Sequence, residues 1–103
     1  MMSMAITAET VQIIRRLEPR RDVDSALRRV LENETRRRLA AYELTNRMFQ
    51  RKYGMTLAEF EVAGIVEEHG YSFEVESDHQ DWDQAVDGIA TLRDALRRLQ
   101  EQQ

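Results

Sequence analysis

Between positions 24 and 52 the chain carries neither glycine nor proline, and Gly54 follows as a stop. A run of this length without a breaker is most economically a single helix, about 44 Å long at 1.5 Å per residue. Leu31, Leu39, Tyr42, Phe49 and Tyr53 lie toward one side of it, with Thr35 and Asn46 filling two gaps. One small domain does not cover a stripe that long, so the stripe is expected to need a partner chain, and a homodimer follows. The polar run 32–38 is where a break would fall, and Gly54 suits the C-terminal cap.

The flanking segments read as shorter helices. Residues 7–17 form a first helix: Thr7 caps it, Glu9 sits in its first turn, and Val11, Ile14 and Leu17 share a face. Glu18 precedes Pro19 and therefore ends it. Asp22 or Asp24 caps the long helix, whose first turns place Ala26, Leu27, Val30 and Leu31 on one side. Thr56 and Glu59 have capping-box spacing, which predicts a helix over 57–68 ended at His69 and Gly70. Tyr71, Phe73 and Val75 alternate with Ser72, Glu74 and Glu76, a period of two that predicts a short extended segment. A last helix starts at Ser77, with Trp82, Ala85, Ile89, Leu92, Leu96 and Leu99 at heptad a and d positions and Gly88 the weak helix former among them. The expected architecture is mainly α: helix, turn, long helix, then a short helix, a short extended segment and a C-terminal helix, in a dimer.

Charge divides the 103 residues in two. Residues 1–52 hold twelve Lys and Arg against seven Asp and Glu, a net of +5; residues 53–103 hold three against twelve, a net of −9. Opposite signs in two halves point to two partners, or to halves that attract each other. The expected organisation is a basic helical dimerisation region over 1–52, with DNA binding as an added role, and an acidic partner-binding region over 53–103. Arg15, Arg16, Arg20 and Arg21 cluster around the first turn and are the candidate nucleic-acid contacts, since clustered cations suffice for phosphate. The same arginines also suit a solvated helix face, and aromatic residues for single-strand stacking are missing from 1–41.

The acidic extreme is 71–87, YSFEVESDHQDWDQAVD, with six carboxylates around the single tryptophan. A metal site is one reading, because His79, Asp83 and Asp87 share a helix face. Successive turns cannot surround one ion unaided, however, and no EF-hand loop or HExxH occurs. Helix capping by anions near a positive N-terminus is a second reading. A basic protein partner is the third: carboxylates steer it, and Tyr71, Phe73 and Trp82 anchor it. Trp82 equally suits the core. No catalytic site is expected, since there is no cysteine, no GxSxG and no glycine-rich phosphate loop. No cofactor or metal is expected either. The longest apolar runs fall short of the roughly 18 residues of a membrane helix, and 1–10 lack a basic start and an apolar core, so a cytoplasmic protein without membrane association is expected.

Two segments resemble known families. FQRKYGMTLAEFE, residues 49–61, is similar to the (K/R)YGM-(S/T)-x-x-EF segment of small antitoxin-like proteins of bacteria and archaea. In those proteins an acidic segment with an aromatic–acidic pair leads to a leucine-bearing helix, and DWDQAV at 81–86 followed by IATLRDALRRL matches that order. The likeness spans about residues 40–100 and is nearest to TumA-like antitoxins of type II toxin–antitoxin pairs. Upstream, MAI, TAETVQIIRRL and EPRRDVDSALRRVLENE resemble the layout of a ribbon-helix-helix domain, although MMSMAI lacks the basic or amide residues that read bases.

These resemblances imply an antitoxin that binds and silences an RNase-like basic toxin through its acidic half. Tyr71, Phe73, Glu74, Glu76, Asp78, Asp81, Trp82, Asp83 and Asp87 would form that surface, while the basic half dimerises and holds operator DNA. A DNA-binding autorepressor without a toxin, and a purely structural helical homodimer or adaptor, are the competing expectations.

Overall fold

The computed structural model describes residues 5–102. Five helices follow in order: α1 (Ala8–Leu17), α2 (Val23–Tyr53), α3 (Leu57–Val62), α4 (Ile65–Glu68) and α5 (Phe73–Glu101). No strand occurs among the described residues, so the protein is mainly α, as its patterning predicts.

Thr7 caps α1 by accepting a hydrogen bond from the Thr10 N–H, and Asp22 caps α2 by accepting one from the Ser25 N–H. α2 runs unbroken through 32–38. Glu34 accepts hydrogen bonds from both Arg37 and Arg38 there, so that run is held by helix-compatible i,i+3 and i,i+4 pairs. Gly54, at φ +68°, ends α2 in the left-handed conformation that an L side chain resists.

α2 and α5 form an antiparallel hairpin along their whole lengths. Lys52 meets Asp78, Phe49 meets Trp82, Glu43 reaches Arg93, and Arg28 donates to the Gln102 carbonyl at 2.7 Å. At position 88 the Tyr42 ring lies against the glycine, where a side chain would have no room. The long stripe of α2 is therefore covered over much of its length by α5 of the same chain. A 29-residue helix in the same chain thus reaches back along the stripe, while Leu31 near its start stays 51% exposed.

The extents are 56 × 26 × 23 Å, and the radius of gyration is 19.3 Å, against about 13 Å for a compact domain of this length. A rod buries little, and its core is concentrated at the turn end. Phe49, Leu57, Phe60, Val75 and Trp82 are buried there, flanked by Tyr53, Met55, Ile65, Val66 and Val86. Phe60 and Trp82 are the largest fully buried side chains.

Two expected elements differ. The helix over 57–68 is two short ones, α3 and α4, because the chain turns at Ala63 and Gly64. The extended segment over 71–75 does not form. Tyr71 adopts φ +56°, Ser72 caps α5 by accepting from the Val75 N–H, and helix begins at Phe73 rather than after Ser77. An isolated five-residue strand would leave its backbone groups unpaired, whereas a helix satisfies them within the segment. The ribbon-helix-helix layout would put a short strand before α1; residues 1–4 lie outside the described residues, and residues 5–7 are not strand.

Candidate partner-binding site

The acidic segment does not present its residues on one surface. Trp82 is fully buried; its ring stacks on Phe49 and Tyr53, and its indole N–H donates to Asn46 Oδ1 at 2.8 Å. Asp78 also turns inward, accepting hydrogen bonds from Lys52 Nζ at 2.5 Å and the Tyr53 hydroxyl at 2.6 Å. Burial acts to raise its pKa, but the bonds from Lys52 and Tyr53 outweigh this and hold the carboxyl below the ordinary value. Burial and the bond to Asp78 push the Tyr53 hydroxyl up to about 12. Glu74 shares Lys52 at 3.0 Å from an exposed position.

The remaining carboxylates face water. Glu76, Asp83 and Asp87, spaced seven and four residues apart, lie along the solvent side of α5. Asp81 borders a groove between α2 and α5 lined by Tyr42, Thr45, Met48 and Gln84. None of these four carboxylates makes a side-chain hydrogen bond or an ion pair. This contrasts with Glu18, Asp24, Glu32, Glu34, Glu43, Asp94 and Glu101, which all lie within 4 Å of an arginine.

At the same end three large apolar side chains are open to solvent. Phe73 is 87% exposed and Val62 90%, and Tyr71 stands out on its left-handed backbone. Residues Glu67 and Glu68 sit on α4 between them in sequence, exposed and without ion pairs. Val62 escaped the sequence reading because a continuous helix over 57–68 places it among ordinary helical positions. The turn at Ala63, which a lone glycine only weakly signals, is what turns it outward.

His79, Asp83 and Asp87 are not brought together. The His79 ring packs at 5.6 Å from Phe60, with Nε2 at 3.8 Å from Glu61, and among the described residues no three His, Cys, Asp or Glu are placed to hold a metal ion. Among the described residues no helix is long and apolar enough to cross a membrane.

In the basic half, Arg15, Arg16 and Arg20 are exposed and free of ion pairs, whereas Arg21 lies 3.8 Å from Glu18. A second basic surface emerges on the outer side of α2. Arg29, Arg36, Arg47 and Arg51 share it by helical spacing, and only Arg36 has an acidic neighbour, Glu32 at 3.9 Å. The hairpin thus carries a basic outer ridge on α2 and an acidic one on α5. Comparison of the chain with protein-family models, curated proteins and solved structures finds no match.

Proposed function

We propose that this protein binds and neutralises a basic protein, as an antitoxin does its toxin, through the acidic outer side of α5 and the apolar tip beside it. The observation that carries the proposal is the row of unpaired carboxylates Glu76, Asp83 and Asp87 along the exposed side of α5, the helix whose first turn carries exposed Phe73 and directly follows exposed Tyr71. Solvated carboxylates raise the encounter rate with a cation-rich surface, while apolar side chains that become dry on docking supply the lasting affinity. Trp82 and Asp78 support this surface from within: the tryptophan fills the core under α5, and Asp78 ties α5 to Lys52 and Tyr53.

The test is capture from the native cells by the tagged chain, followed by reconstitution with the purified partner. A triple variant, Glu76→Gln with Asp83→Asn and Asp87→Asn, is the control, since these side chains hold nothing within the fold. A small basic protein retained by the wild type, lost by the variant and inhibited by the wild type in its own activity supports the proposal. Retention by the variant with unchanged affinity would remove the acidic ridge from the interface.

A second reading, duplex DNA binding, draws on the α2 ridge. Arg29 to Arg51 spans about 33 Å of helix, close to one turn of B-DNA. It predicts affinity that falls steeply with salt and weakens when Arg47 and Arg51 become glutamine. Salt-independent or absent binding removes it.

A further inference from the structure

Where α3 turns into α4 against the first turns of α5, the chain leaves a recess of about 200 Å³ lined by Phe60, Glu61, Ile65, Val66, Glu67 and His79. An apolar cavity of about 150 Å³ already holds benzene, so the recess has room for a planar group with part of its stem. Phe60, Ile65 and Val66 give it apolar walls. Glu67 reaches it because of the corner: Gly64, at φ +63°, turns the chain, and a Cβ there would lie 3.3 Å from Glu67 Oε2.

The polar groups of the recess lack partners within the chain. Glu61 approaches His79 Nε2 at 3.8 Å, too long for a hydrogen bond, and Glu67 is exposed and in no ion pair. His79 Nε2 is withdrawn from solvent and has no hydrogen-bond partner among the described residues. With the imidazole proton on Nδ1, Nε2 is an acceptor, so the recess presents three acceptors beside an apolar wall. No lysine or arginine lines it. The grooves lined by Arg93 and by Arg37 differ, because there Glu43 and Glu34 are paired to those arginines. His79 also follows Glu76 by three residues and precedes Asp83 by four, which sets the recess beside the acidic ridge of α5.

We propose that this recess receives an arginine side chain of the basic partner, an inference that rests on the antitoxin-like reading above. The guanidinium donates to Glu61, Glu67 and His79 Nε2, and its stem lies against Ile65 and Val66. A guanidinium suits such a site better than an ammonium does: it carries five donors in a plane, is less strongly hydrated and packs flat on apolar surface.

Titration of the full chain with N-acetyl-arginine amide tests it, at fixed pH and constant ionic strength so that screening does not move signals. The readout is the pair of imidazole proton resonances, assigned with a His69→Gln variant. The His79 signal is expected to shift saturably, with a Kd of about 1–100 mM, while that of His69, exposed and outside the recess, stays in place. Glu61→Gln with Glu67→Gln should weaken binding about tenfold, with far-UV circular dichroism confirming the fold, and N-acetyl-lysine amide should bind more weakly than the arginine probe. Absence of a saturable His79 shift overturns the proposal, as does a shift that survives in the double variant. A lysine probe that binds as tightly overturns the assignment to arginine. The probe is a small molecule, so these outcomes do not depend on capturing a partner, and a failed recess is told apart from a failed antitoxin reading. With the partner in hand, the double variant should bind it about tenfold more weakly; unchanged affinity there removes the recess from the interface and leaves the ridge.

Discussion

Replacing Gly88 by alanine separates local propensity from tertiary contact, because the two predict opposite signs. In the middle of a long helix, glycine is less favourable than alanine by about 1 kcal/mol, so on propensity alone the variant gains that much stability. In the hairpin, a Cβ at position 88 would lie 2.5 Å from Tyr42 Cε2, 2.7 Å from Cδ2 and 3.0 Å from Cζ. The ring must swing out or the helices must part. Overpacking of this kind costs typically 1–3 kcal/mol, and three contacts this short belong at the upper end. Subtracting the propensity gain leaves a net loss of about 1–2 kcal/mol, or a fall in Tm of roughly 5–10 °C for a chain of this size. Urea unfolding followed by far-UV circular dichroism, at one fixed protein concentration, measures it. Repeating the substitution in a Tyr42→Ala background removes the clash and should return alanine to neutral or favourable. A Gly88→Ala chain more stable than wild type would refute the close approach of α2 and α5, and with it the register of the hairpin.

Other perturbations test the turn end. Trp82→Ala removes the centre of a small core and the partner of Asn46, and should cost about 3–5 kcal/mol, enough to abolish a cooperative thermal transition in a rod with little else buried. Tyr71→Gly relieves a left-handed tyrosine and should raise stability by about 1 kcal/mol, while weakening capture of a basic partner if the tip is the docking surface. Asp78, held below its ordinary value, contributes stability that is present above pH 4 and lost as the pH falls through its lowered folded value. Tyr53, raised to about 12, contributes stability that is complete below its ordinary value of 10.0 and lost between pH 10 and 12. Denaturation against pH should show both limbs, with Asp78→Asn flattening the acid one and Tyr53→Phe the alkaline one; unchanged limbs would deny the buried Asp78–Tyr53 bond.

Much of the secondary structure was legible because its determinants are local. The unbroken α2, its stop at Gly54, the Thr7 and Asp22 caps and the Thr56–Glu59 capping box depend on residues within one helical turn of each other. The segment 71–75 was misleading for the opposite reason. Its alternation suits a strand only if another strand lies beside it, and in that absence Ser72 starts a helix. The candidate site divided in the same way. Six carboxylates around an aromatic cluster are visible in the sequence, but which of them points to water depends on where Lys52, Tyr53 and Asn46 arrive from a helix more than twenty residues away.

By itself, then, the sequence determined a mainly helical chain with two long amphipathic helices and a charge that changes sign between them. Composition, breakers and caps act over a few residues, and nothing distant can easily override them across a 31-residue run. Only the tertiary structure decided that the two helices close on each other as a hairpin, that Trp82 belongs to the interior, that Asp78 bonds to Lys52 and Tyr53, and that Glu76, Asp83 and Asp87 remain free. Each of those outcomes is set by the register between α2 and α5, where Tyr42 meets Gly88 and Lys52 meets Asp78. Register is a property of packing between helices, fixed by which side chains interlock, and neither helix carries it alone.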